Sequence, residues 1–224
     1  MFHENLLKQL LDLPYAPLIV EKANGILHEE RKRRKKFYNR ATNRNIDESM
    51  KAEFINGEVI VHSPVMKRHN QANGLLFQLL KTYSFKHKLG FVGIEKIMST
   101  FTRNDYEPGL VFFKKERSDN FKEDQTFFPV PDFIVEVLSK STAKHDRGTK
   151  FDDYETHQVK EYWIIDPKNE VIEQYILEGD RYELVLKSSN GSIKSSVIEG
   201  FEIPIRAVFD EELNFEILQK LIKE

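Results

Sequence analysis

The chain contains no cysteine. That removes disulfides, thiolate metal sites and cysteine nucleophiles together, and it suits a reducing compartment. No apolar run approaches the ~20 residues that cross a bilayer. The N-terminal MFHENLLKQLLDLP carries acids where a secretory leader has a basic start and a long apolar core. The expectation is a cytoplasmic protein with no membrane contact. A dominant charge is missing as well: 34 basic and 36 acidic side chains leave a net charge of −2, so nucleic-acid binding has to come from a local patch. No P-loop, GxGxxG, HExxH or GxSxG motif occurs, which excludes the commonest nucleotide, zinc-protease and serine-hydrolase signatures. What remains is a globular composition, 40% hydrophobic and 31% charged over 224 residues, enough for one substantial core.

Residues 1–50 read as a polar helical extension, interrupted by Pro14 and Pro17 and by a turn at Asn24-Gly25; residues 51–224 read as the main domain. The extension holds the one concentrated basic run, Arg31, Lys32, Arg33, Arg34, Lys35 and Lys36, with Arg40 and Arg44 after it. Such a run is either a solvated helix face or a phosphate-binding stripe. Asn56-Gly57 between alternating segments predicts a β-hairpin. Apolar spacing through Ala72, Leu75, Leu76, Leu79, Leu80 and Tyr83 predicts a helix over about 65–86. Strands are expected at 91–101, 109–114, 132–138 and 161–166, with a helix over 143–158 between the last two. Turns are expected at Glu178-Gly179-Asp180 and Asn190-Gly191, and a final helix over 209–222. This order predicts an α/β (α+β) fold, a mixed sheet flanked by helices.

The chemistry concentrates in PDFIVEVLSKSTAKHDRGTKFDDYETHQVKEYWIIDP, residues 131–167. Glu136 stands inside an apolar run, where an unpaired charge costs several kcal/mol. Its partner is either a structural cation or a functional one. Asp146, Lys150 and Tyr154 fall at i, i+4 and i+8 on the helix that follows, which puts them on one face. His69, near the start of the long helix, is a lone titratable candidate.

PDFIVEVLSKST, DRGTK and VKEYWIIDP, together with FINGEVIVHSPVMKRH and GFEIPI, resemble the Uma-type putative restriction endonuclease family, a branch of the PD-(D/E)xK nuclease superfamily. The resemblance covers about residues 50–210. It implies a restriction-endonuclease-like core that cuts DNA phosphodiester bonds with Mg²⁺ or Mn²⁺, with duplex cleavage by a homodimer. It also implies roles for residues: Glu136 and the adjoining Val137 at the metal, Lys150 as the lysine migrated from the position of Leu138, and His69 and Asp146 as further catalytic residues. One departure stands out. In YEPGLVFF, Gly109 occupies the place of the metal-binding aspartate, and Glu107 is a partial substitute if strand alternation puts both on one side. The expected function is a metal-dependent endonuclease impaired at Gly109. The alternative is an inactive nuclease-fold protein that binds nucleic acid or a partner protein. Two consequences complete the expectation: Glu136 is dispensable for folding, and a side chain at position 109 has room.

Overall fold

The structure, a computed structural model, describes residues 2–39, 50–140 and 142–223, and the chain divides into two compact units, Met1–His62 and Ser63–Glu224. No described helix is long and apolar enough to cross a membrane.

The first unit comprises α1 (Phe2–Leu11), α2 (Ala16–Tyr38), β1 (Ala52–Ile55) and β2 (Glu58–Val61). Pro17 lies in the first turn of α2, where a missing N–H costs nothing. The helix runs straight through Asn24-Gly25, correcting the turn expected there. Good helix formers surround the pair, so the glycine costs only about 1 kcal/mol of propensity. Asn56 (φ 50°) and Gly57 (φ 86°) make the tight turn between β1 and β2. Glycine is required at 57 on two counts: its left-handed backbone, and the Glu30 and Arg33 side chains that a Cβ would strike.

The second unit begins with α3 (Lys67–Lys86), β3 (Gly90–Ile94), β4 (Met98–Thr100), β5 (Asp105–Tyr106), β6 (Leu110–Lys114), α4 (Lys115–Ser118) and β7 (Phe127–Phe128). It continues with β8 (Phe133–Val137), α5 (Ala143–Asp146), α6 (Thr149–Thr156), β9 (Glu161–Asp166), β10 (Val171–Glu178) and β11 (Arg181–Ser188). It closes with β12 (Ser192–Lys194), β13 (Glu202–Pro204), a 3-10 turn at Ile205–Val208 and α7 (Glu211–Lys223). Six strands form a sheet in the order β11-β10-β9-β8-β6-β3. β8 and β9 are parallel and their other neighbours antiparallel, so the sheet is mixed, as expected. All five residues of β8 are buried, which is why this central strand reads as an almost continuous apolar run.

Alternation along β8 separates its two faces. Val135 and Val137 join Ala72, Leu76 and Leu79 of α3 in the main core, while Glu136 turns to α6. Two expected elements are split. The strand expected over 91–101 is β3 and β4, because Glu95 (φ 40°) and Lys96 (φ 46°) turn the chain in the left-handed region. The helix expected over 143–158 is α5 and α6, because Gly148 has φ −128°, ψ −102° and breaks the helical path.

On β10, Glu173 meets Arg147, Lys187 and the Tyr175 hydroxyl. Burial opposes its ionisation, but these partners outweigh burial and pull its pKa from 4.5 to about 2. A depressed carboxyl contributes stability above its unfolded value that is lost as pH falls through the folded one. Between about 4.5 and about 2, the melting temperature of the parent is therefore expected to fall more steeply than that of Glu173→Gln. Parallel slopes would contradict this assignment.

Candidate active site

Glu136 carries its carboxylate to the α6 side of β8. Lys150 Nζ donates to its Oε1 at 2.9 Å, and the Tyr154 hydroxyl donates to the same oxygen at 2.9 Å. The ammonium also lies 3.4 Å from Asp146 Oδ1 and 5.6 Å from the centre of the Tyr106 ring. The break at Gly148 does not disturb the i,i+4 relation of Asp146 and Lys150. Glu136, Lys150 and Asp146 are 5%, 1% and 0% exposed. Beside them the Tyr162 hydroxyl donates to the Asp146 carbonyl. Burial, then the charges of Asp146 and Glu136, hold its pKa well above 10.0.

One ammonium thus serves two carboxylates in a nearly dry interior. Removing one member of such a group leaves an uncompensated buried charge and typically costs 3–5 kcal/mol. The expectation that Glu136 is dispensable for folding is corrected on that ground.

A second polar group on α6 was not anticipated. Asp153 accepts from Asn104 Nδ2 and the Tyr106 hydroxyl, both at 2.7 Å, and pairs with His157 Nδ1 at 2.9 Å. The Thr102 N–H donates to His157 Nε2 at 3.3 Å. Residues 102–106 are thereby tied to the helix that carries Lys150. Burial raises the pKa of Asp153, yet the bonds from His157, Asn104 and Tyr106 outweigh it and leave the group below 3.8. The bond to Asp153 lifts His157 above 6.5. The i,i+4 spacing of Asp153 and His157 was the available signal.

His69 sits on α3, the helix that covers the Val135–Val137 face of the sheet. The Val137 side chain belongs to that same apolar core. Glu107 is buried but lies in the connection between β5 and β6, so strand alternation does not relate it to position 109. Gly109 is a bend just before β6. A Cβ built on it meets Val135 O at 3.1 Å, Asn73 Oδ1 at 3.2 Å and Val137 Cγ2 at 3.7 Å. It points towards Asn73 of α3 and the Val137 side chain, and the room expected there is corrected to a tight fit.

In the basic run, Lys32 pairs with Glu29 at 2.8 Å and Arg33 Nε donates to Gly57 O at 2.9 Å. The guanidinium of Arg34 lies 5.7 Å from the centre of the Tyr38 ring. Arg31, Lys35 and Lys36 are exposed. Arg40 and Arg44 lie outside the described residues.

A divalent metal is a poor fit to these residues. Mg²⁺ takes one or two carboxylates at about 2.0–2.1 Å and keeps several waters. Glu136 and Asp146 share the lysine ammonium, and Gly109 supplies no side chain. The described residues contain no group of three histidine, aspartate or glutamate side chains placed to hold a metal.

Comparison with known proteins agrees with the architecture. A family model described as "Uma2: Putative restriction endonuclease" matches residues 36–206. The chain is 30% identical over 155 residues to "Uncharacterized protein sll1609" of Synechocystis sp., an alignment covering 66% of this chain and 86% of that protein. The 1.96 Å crystal structure of a putative nuclease belonging to DUF820 from Anabaena variabilis superimposes with a TM-score of 0.61 at 16% identity, over 70% of this chain and 89% of that one. At that identity the likeness concerns the fold. The chain belongs to the Uma2 putative restriction endonuclease family.

Proposed function

We propose that this chain is a nuclease-fold protein that binds DNA and does not cut it. The observation that carries the reading is the placement of Lys150, whose ammonium contacts both Glu136 and Asp146 in the interior. A lysine shared by two carboxylates cancels one of their two charges and competes with a metal for the Glu136 and Asp146 oxygens, and Gly109 contributes no side chain. Support for DNA as the partner comes from the family and from Arg31, Lys35 and Lys36, three exposed cations within two turns of α2. Their role is phosphate contact, which sets affinity without reading sequence. Two copies related by a dyad would present two such helices to one duplex.

The test is a salt titration of binding to a fluorescent duplex oligonucleotide. Each phosphate contact contributes roughly 0.9 to the slope of log K against log salt. Substituting Arg31, Lys35 and Lys36 by alanine is therefore expected to lower the slope by roughly 2–3. An unchanged slope, or no binding by the parent at low salt, would overturn this function. The family also favours a second reading, an active metal-dependent endonuclease. Under that reading the same protein nicks plasmid DNA when Mg²⁺ or Mn²⁺ is added.

A further inference from the structure

We infer that two copies of this chain pair through α1 and the first half of α2. The inference goes beyond the DNA-binding reading and does not rest on it. Leu6, Leu7, Leu10 and Leu11 stand at i, i+1, i+4 and i+5, which gathers them on one face of α1. Leu6, Leu7 and Leu11 are 58%, 55% and 61% exposed. A ten-residue helix is marginal in water by itself and takes most of its stability from packing its apolar face. That face is open in the single chain, so its partner comes from outside it.

The open surface continues along α2. Of the twenty large hydrophobic side chains exposed among the described residues, nine lie between Leu6 and Ile26. At about half exposure each, they offer roughly 800 Å², the share that each partner contributes to a standard interface. The largest apolar patch of a typical monomer is smaller, about 300–600 Å². Arg31, Lys35 and Lys36 follow this stretch on α2, so pairing leaves them exposed.

The chain carries both halves of the fit. Beside the turn from α1 to α2 lies a groove of about 530 Å³, with apolar walls from Leu11, Leu13, Pro17 and Val20 and one acid, Glu21. The α1 of a second copy brings leucines for the walls and Lys8 for Glu21. Lys8 flanks Leu11 at i,i+3, and both it and Glu21 are exposed. Leu11 belongs to the groove and also to the face that fills it, which places it near the two-fold axis of an isologous pair. A lipid surface fits less well. Helices that lie on membranes carry a polar face rich in lysine and arginine, whereas α1 and its flank set Lys8 against Glu4 and Asp12. The surface precedes residue 36, where the family match begins, so the pairing belongs to the extension and not to the nuclease core.

Sedimentation equilibrium of the full chain at micromolar concentrations tests the pairing. A dimer of the 26.4 kDa chain is expected, and Leu7→Glu with Leu11→Glu is expected to reduce it to monomer. Both positions are exposed, so this variant is expected to remain folded by circular dichroism. Phe85→Glu, at a side chain 80% exposed on α3, is expected to leave the dimer intact. Lys8→Glu and Glu21→Lys are each expected to weaken dimerisation about tenfold, and together to restore it, since two such pairs form per dimer. The chain lacks cysteine, so Leu11→Cys reports the axis cleanly: oxidation is expected to cross-link it and to leave Phe85→Cys monomeric on a denaturing gel. A monomeric parent overturns the inference; if that monomer sediments with phosphatidylglycerol vesicles, the face belongs to a lipid surface instead. A dimer that survives Leu7→Glu with Leu11→Glu overturns it too and places the contact elsewhere. Failure of the charge exchange to restore the dimer, or of Leu11→Cys to cross-link, overturns the seating of α1 in the groove. No DNA is present in these measurements, so their failure leaves the DNA-binding reading standing.

Discussion

Glu161→Ala is expected to destabilise the protein by about 3–5 kcal/mol, the scale for leaving several buried polar groups unsatisfied at once. Glu161 opens β9 and is fully buried. Its Oε1 accepts from Trp163 Nε1 at 2.6 Å and Gln174 Nε2 at 2.7 Å. Its Oε2 accepts from the Ser195 hydroxyl at 2.7 Å, the Ser196 N–H at 2.9 Å, the Ser196 hydroxyl at 3.1 Å and the Val197 N–H at 3.0 Å. Hydrogen bonds alone satisfy this carboxylate, and it fastens the segment between β12 and β13 to the sheet. Alanine would orphan donors from three parts of the chain. Glu161→Gln should also be costly, because its amide turns a donor towards donors. Urea unfolding followed by Trp163, the only tryptophan, reads both the stability and the loss of the indole bond. A cost below about 1 kcal/mol would show that these groups find other partners.

Lys150→Met has the second large expected effect. It removes the ammonium shared by Glu136 and Asp146 and leaves two buried carboxylates facing each other, at a cost of about 3–5 kcal/mol. The triple variant Asp146→Asn, Glu136→Gln, Lys150→Met removes the charges as well. It is expected to recover much of that loss, since replacing a whole buried ionic group by neutral residues is often close to neutral. Melting temperatures of parent, single and triple variants check the pattern. If the triple variant melts no higher than Lys150→Met, the ionic group is not the source of the loss.

Local signals in the chain made the frame legible. β8 and β9 read as apolar runs because both strands are central, and Asn56-Gly57 marks a turn whose backbone few other residue pairs adopt. Glu136 and Lys150 were also legible together, since a charge in a buried strand needs a partner and the next helix supplies one. What escaped reading depends on distant or three-dimensional facts. Glu161 Oε2 draws its donors from Ser195, Ser196 and Val197, some 35 positions away, so no window around it shows them. The breaks at Glu95–Lys96 and Gly148 arise from backbone angles that tertiary packing imposes on ordinary-looking residues. By strand alternation, position 109 takes the same side as Glu107. Its bend before β6 instead aims a side chain at Asn73, a direction the sequence cannot encode by alternation.

Nicking of supercoiled plasmid by the parent and by Gly109→Asp, with Mg²⁺ and with Mn²⁺, tests the central claim most directly. Lys150 holding both acids, and a position 109 that faces α3, predict no metal-dependent cleavage by either protein, while both still bind DNA. Metal-dependent nicking by either one, lost when Glu136→Gln is added, would contradict the account and establish an endonuclease centre at Glu136.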